Sequence, residues 1–196
     1  MHLIKPLAAT LGGGAMATGA YLTKDHWMPS NKEVGDSISK VLVDRKYTPL
    51  DPSKAEGWEA VLEKYNSAYS TATKKVSDLQ EECKVLLSKE EFNDADYQKA
   101  RRWCTKLQSV SDRLGAFNRK ALSTTESETK DNDEWKKKIN AHNGEHSNKL
   151  DHTFTGEDDA NLKAIKSKCS TLNGKQSTEE SFEQDFSKSF EWCSIE

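Results

Sequence analysis

Two stretches of the chain carry matching residues in the same order, and that self-similarity limits the fold more than any other feature. The first runs Trp58, Tyr65, Tyr69, Cys83, Asp96-Tyr97, Lys99 and Trp103-Cys104; the second runs Trp135, His142, His146, Cys169, Asp185-Phe186, Lys188 and Trp192-Cys193. A self-similar unit of about fifty to sixty residues points to internal duplication of one structural module. All 4 cysteines fall at equivalent places in it.

Composition narrows what such a module can be. Of the 196 residues 34% are hydrophobic and 31% charged, a balance that suits a thin helical protein with much surface per residue. Five Trp, five Tyr and six Phe still suffice to seed cores, unlike most disordered chains. The 29 basic and 32 acidic residues are mixed along the chain for a net charge of -3, so no basic field exists to steer nucleic acid. Lys136, Lys137 and Lys138 form a basic run that reads as a solvated helix face.

The amino terminus is a different material. From Pro6 to Leu22 there is no charge, with His2 and Lys5 before it and Lys24 and Asp25 after. Residues 1–22 read as an export segment: a secretory signal with small residues at Ala15-Met16-Ala17 or Thr18-Gly19-Ala20, or, the preferred reading, an uncleaved membrane anchor. Gly12, Gly13 and Gly14 argue against a buried helix of a cytosolic protein. With Lys5 on the cytoplasmic side, the remaining chain would lie outside the cell.

Residues 23–52 read as a spacer in which Val34, Ile38, Val41 and Leu42 make a short amphipathic helix. A cap at Asp51 or Ser53 then opens a helix along which Trp58, Leu62, Tyr65, Tyr69, Ala72, Val76, Leu79, Cys83 and Leu86 advance by steps of four and three. After a break at Asn93-Asp94, the residues Tyr97, Ala100, Cys104, Leu107, Val110, Leu114, Phe117 and Ala121 keep the same spacing. Residues 53–122 are therefore expected to form one antiparallel hairpin, 123–131 a linker and 132–196 a second hairpin. In the second, Asn132 or Asp133 caps a helix carrying Trp135, Ile139, His142 and His146, and extra residues fall in a loop from Ser147 to Asp159. Leu162, Ile165, Cys169 and Leu172 repeat Val76, Leu79, Cys83 and Leu86. Gly174 ends that helix, Ser177 or Thr178 caps the last one, and Phe182, Phe186, Phe190 and Cys193 line its inner side. The expected fold is all-α and elongated: two duplicated, coiled-coil-like antiparallel helical hairpins, each stapled by a disulfide, plus the amino-terminal apolar helix.

Four cysteines allow three pairings, and hairpin geometry with repetition favours Cys83 with Cys104 and Cys169 with Cys193. Their spacing lacks the close pairs of a zinc site. The enzyme-like string is His142-Asn143-Gly144-Glu145-His146, which matches the inverted zinc-protease pattern; as a hydrolase it would hold zinc on His142 and His146 with Glu145 as general base. Duplication supplies a control, because Tyr65 and Tyr69 occupy the same positions in the first copy. The histidines therefore read as aromatic replacements in a packed seam, where neutral imidazoles would make the second hairpin weaken in acid. Asp151, His152, Asp158 and Asp159 read as a solvated acidic loop. No Gly-rich phosphate loop follows a strand, and no Ser or Cys nucleophile stands in a recognisable context. No catalytic, cofactor-binding or metal residue is expected, and no cofactor.

The Gly/Ala-rich apolar start, the stretch Trp58-Glu59-Ala60-Val61-Leu62-Glu63-Lys64-Tyr65-Asn66, and the pairs Trp103-Cys104 and Trp192-Cys193 resemble the large paralogous protein families of haemotropic mycoplasmas. The resemblance implies a wall-less bacterium living on red cells, export and surface display, and brings no assigned activity. The expected function is that of a non-enzymatic, membrane-anchored or exported extracellular protein in a surface-interaction or antigen role. Its expected partners are a host-cell surface protein and the membrane through residues 1–22, with no nucleic acid and no small-molecule substrate.

Overall fold

The computed structural model describes residues 36–146 and 148–196; the anchor expected over 1–22 lies outside them, as does the first part of the spacer, 23–35. Among the described residues are eight helices and one short ribbon: α1 Ile38–Asp44, α2 Trp58–Ala68, α3 Val76–Leu87, α4 Asp94–Trp103, α5 Val110–Ala116, β1 Lys120–Ala121, α6 Asn132–His142, α7 Asp159–Gly174, α8 Phe182–Trp192 and β2 Ser194–Ile195. The protein is all-α with two disulfides, Cys83–Cys104 and Cys169–Cys193.

Short polar residues start several of these helices by satisfying backbone N–H groups that have no partner within the helix. Ser37 Oγ accepts from the Lys40 amide at 3.2 Å, and Asn93 Oδ1 accepts from the Ala95 amide at 2.8 Å. Ser109 and Asp112 cap α5 reciprocally, and Asp158 Oδ1 accepts from the Asn161 amide at 2.8 Å.

The long helix expected from Trp58 to Leu86 is broken at residues 69–75. The Asn66 side chain reaches across the break, accepting from the Lys74 amide at 2.8 Å and donating to the Lys74 carbonyl at 3.1 Å. Ser70, Thr71 and Thr73 occupy the turn, where their hydroxyls compete with helical hydrogen bonding. The expected cap at Asp51 forms a turn instead, with Oδ1 taking the Ser53 amide at 2.9 Å, and α2 opens at Trp58 after Gly57, whose φ is 86°. A Cβ on Gly57 would stand 2.7 Å from Leu50 Cδ2.

The helix expected from Tyr97 to Ala121 also divides. α4 stops at Trp103, Thr105 bridges antiparallel to Pro49, and Ser109 starts α5 as a separate element. α8 begins at Phe182, after the expected caps Ser177 and Thr178, whose carbonyls accept from Arg101 and Arg102 at 2.7 and 2.8 Å.

These breaks reveal two four-helix units, α1 to α4 and α5 to α8, that make one set of contacts twice. The Ile38 amide donates to the Lys89 carbonyl and the Val110 amide to the Lys175 carbonyl, both at 2.9 Å. After the first helix of each unit a single residue turns left-handed, Lys46 with φ 62° and Asn118 with φ 56°. The Leu50 amide donates to the Cys104 carbonyl and the Leu122 amide to the Cys193 carbonyl, again both at 2.9 Å. Trp58 Nε1 donates to the Asp51 carbonyl and Trp135 Nε1 to the Ser123 carbonyl, each at 3.1 Å. Pro49 faces Thr105 as Ala121 faces Ser194. The disulfides close loops of 21 and 24 residues with Cα separations of 5.4 and 5.5 Å. Each closure contributes about 3 kcal/mol in the chain-entropy account.

The units are not separate bodies. Phe182, Phe186 and Phe190 of α8 lie with Val110 and Leu114 of α5 in the core shared with α1 to α4, whereas Trp192 and Cys193 at the end of the same helix lie in the core of α6 and α7. Glu183 fixes this docking. Its buried Oε1 accepts from Tyr97 Oη at 2.6 Å and Tyr47 Oη at 3.2 Å, and Oε2 accepts from Gln98 Nε2 at 3.0 Å.

Candidate functional site: the histidine face of the second unit

The structure places His142 and His146 on the face equivalent to Tyr65 and Tyr69. In the first unit both tyrosines pack in T-shaped fashion with Trp103, with centroids 5.1 and 5.8 Å away. In the second, His142 and His146 meet Trp192 in the same edge-on way at 4.7 and 5.0 Å. Such contacts suit either ring type, since an aromatic edge carries positive charge and an aromatic face negative.

What differs is the chain that covers them. Residues 69–75 make a short turn in the first unit, held by Asn66, whereas the connection between α6 and α7 in the second is longer and crosses α8. Trp192 Nε1 donates to the Asn148 carbonyl at 2.6 Å, Asn148 Nδ2 donates to Ser187 Oγ at 2.8 Å, and Leu150 and Phe154 are buried. His142 completes the attachment: its Nε2 accepts from the Leu150 amide at 2.9 Å. Burial lowers the His142 pKa from the ordinary imidazole value, and the Lys149 charge lowers it further.

The two histidines are not presented as a ligand pair. The Nε2 lone pair of His142 is engaged by a backbone amide, His146 Nδ1 lies 3.3 Å from Glu191 Oε1, and Glu145 is exposed. Among the described residues no group of three or more His, Cys, Asp or Glu side chains is placed to hold a metal ion. Asp151 lies 3.3 Å from Lys188, His152 stands against Phe154 at 4.7 Å, Asp158 caps α7, and Asp159 opens it. These four residues do not converge on a common point.

Sequence reasoning missed the charged groups buried between the units. Arg101, Arg113 and Glu183 are buried, and Arg101 donates to the Ser177 carbonyl at 2.7 Å and the Glu179 carbonyl at 3.2 Å. The Arg113 guanidinium lies over the Tyr47 ring at 3.9 Å and the Phe186 ring at 4.8 Å. Burial pushes the Glu183 carboxyl up, but the Tyr97 hydrogen bond and the charges of Arg101 and Arg113 outweigh it and hold the group below the usual carboxylate range. A signal was present: Arg113 sits with Val110 and Leu114 on one helical stripe, visible once α5 is read from Ser109.

No family model, curated protein or solved structure matches the chain.

Proposed function

We propose that the chain is an exported, non-enzymatic scaffold, tethered through residues 1–22 to the outer face of a membrane, that displays a helical surface to a protein on a host cell. The single observation that carries the export is the pair of fully buried disulfides, one in each unit. Such bridges persist in oxidising compartments and are uncommon in reducing cytosol. The recurrence of the same backbone, indole and disulfide contacts in α1 to α4 and α5 to α8 supports an origin by internal duplication, and the resemblance to mycoplasma surface families supports display. Among the described residues no helix is long and apolar enough to cross a membrane, so tethering falls to the amino-terminal segment.

Protease treatment of intact cells tests this reading. Cleavage of the chain with cytosolic markers intact is the expected result, together with non-reducing peptide maps joining Cys83 to Cys104 and Cys169 to Cys193. A protected chain with four free thiols would overturn it. Metal analysis of the purified protein addresses the rival hydrolase on His142, Glu145 and His146, which requires about one zinc per chain.

A further inference from the structure

The connection over α8 is fastened at a group that changes charge near neutral pH. His142 is 2% exposed, and its ring stands edge-on to Trp192 and to Phe154, whose centroid is 5.0 Å away. An imidazole that accepts through Nε2 carries its proton on Nδ1 and is neutral. A second proton would land on Nε2, which faces the Leu150 N–H at 2.9 Å, so an acceptor would become a donor opposed to a donor.

The surroundings give that proton little compensation. Lys149 and His152 on the connection, and His146 one turn beyond, all oppose a charge on His142. From α8, the Glu191 carboxylate lies against His146 at 3.3 Å, and Lys188 lies 3.3 Å from Asp151 on the connection. From α6, Lys138 donates to the Glu191 carbonyl at 2.6 Å. His146 thus faces a carboxylate, whereas His142 faces an amide N–H and positive charge.

We propose that His142 is a proton-operated latch: neutral, it pins residues 148–154 across α8; protonated, it releases them while both disulfide-stapled helical units stay folded. The first unit has Tyr65 at this position and lacks the device. Release would expose Leu150 and Phe154, which are 4% and 3% exposed in the closed form. Because the closed form holds His142 below its ordinary value, the open form takes the proton first. Closure is therefore fully favoured above about pH 6.5 and weakens by up to about tenfold per pH unit below it, until the closed-state value is passed.

Hydrogen exchange on the full chain, corrected for intrinsic rates, tests the latch. Protection of the Leu150 amide should fall, by up to about tenfold, from about pH 7.5 to about pH 5.5, while amides of α3 and α7 keep theirs. Equal protection at the two pH values, or loss in step with α7, would overturn the proposal. His142→Gln supplies an acceptor at every pH and should remove the dependence, whereas His146→Gln should leave it in place. The reverse pattern would sink the assignment to His142. Should His142→Gln fail to fold, the wild-type His142 ring signal decides: its titration must coincide with the loss of Leu150 protection, and a ring that titrates while Leu150 stays protected refutes the latch.

Discussion

The two units share a frame and differ in one face. Both bury a tryptophan whose indole N–H reaches a backbone carbonyl, close a disulfide of matching span, and end on a strand-like residue paired back to the unit's start. Against Trp103 the first unit sets two tyrosines under a short turn; against Trp192 the second sets two histidines under a longer connection. The comparison shows that edge-on aromatic packing tolerates exchange of ring type, while the polar atoms of the new ring recruit their own partners. His142 Nε2 takes the Leu150 amide, a role the Tyr65 ring does not fill in the first unit.

The largest test of equivalence removes the two anchoring indoles. Trp58→Ala and Trp135→Ala should each cost about 3 to 5 kcal/mol, because both side chains are fully buried and leave large cavities. Urea denaturation of the two variants should give matching losses; a difference above about 2 kcal/mol would break the correspondence. Next come the disulfides: replacing Cys83 and Cys104 by serine, or Cys169 and Cys193, should cost about 3 kcal/mol in either unit, read by the same method. If one pair costs nothing, the unit that lost it is held by its neighbour instead.

A smaller effect separates the units at the histidine face. His142→Tyr should destabilise the protein by about 1 to 3 kcal/mol, since the buried Leu150 amide loses its acceptor. Exchange of ring type alone, as at Tyr65, would make tyrosine neutral or better there, because it buries more apolar surface. Wild-type stability in that variant would show that the amide bond contributes little. Smallest is Lys46→Gly. Lys46 and Asn118 both turn left-handed, and glycine enters that conformation without the Cβ penalty while losing more entropy on folding. The net change in stability by urea denaturation should be within about 1 kcal/mol, and a loss above about 2 kcal/mol would mean the lysine side chain matters.

Much of this frame was legible from residue order. Spacing of Trp58, Leu79, Cys83 and Tyr97, and of their counterparts, marks buried positions, and the phenylalanines of α8 read correctly as an inner face. The breaks were not legible from periodicity, because three-and-four spacing continues through Ala72 and through Leu107 although neither region is helical. What stops the first helix is the Asn66 side chain bound to Lys74, a contact between a helix and its own exit. Burial of Glu183 was invisible for another reason. A carboxylate reads as surface unless its donors are known, and Tyr47 and Tyr97 come from the other unit.

That carboxylate also sets a timetable. Glu183 meets Tyr47 across 136 residues and Tyr97 across 86, so the first core is completed only when the last helix has been made. Contacts of such separation are slow to form, because the intervening chain must give up its freedom before they repay it. An emerging amino-terminal half would hold an apolar face in search of Phe182, Phe186 and Phe190. A nascent polypeptide that stays open this long has the form that the export proposed above requires, since only an unfolded chain threads a narrow channel.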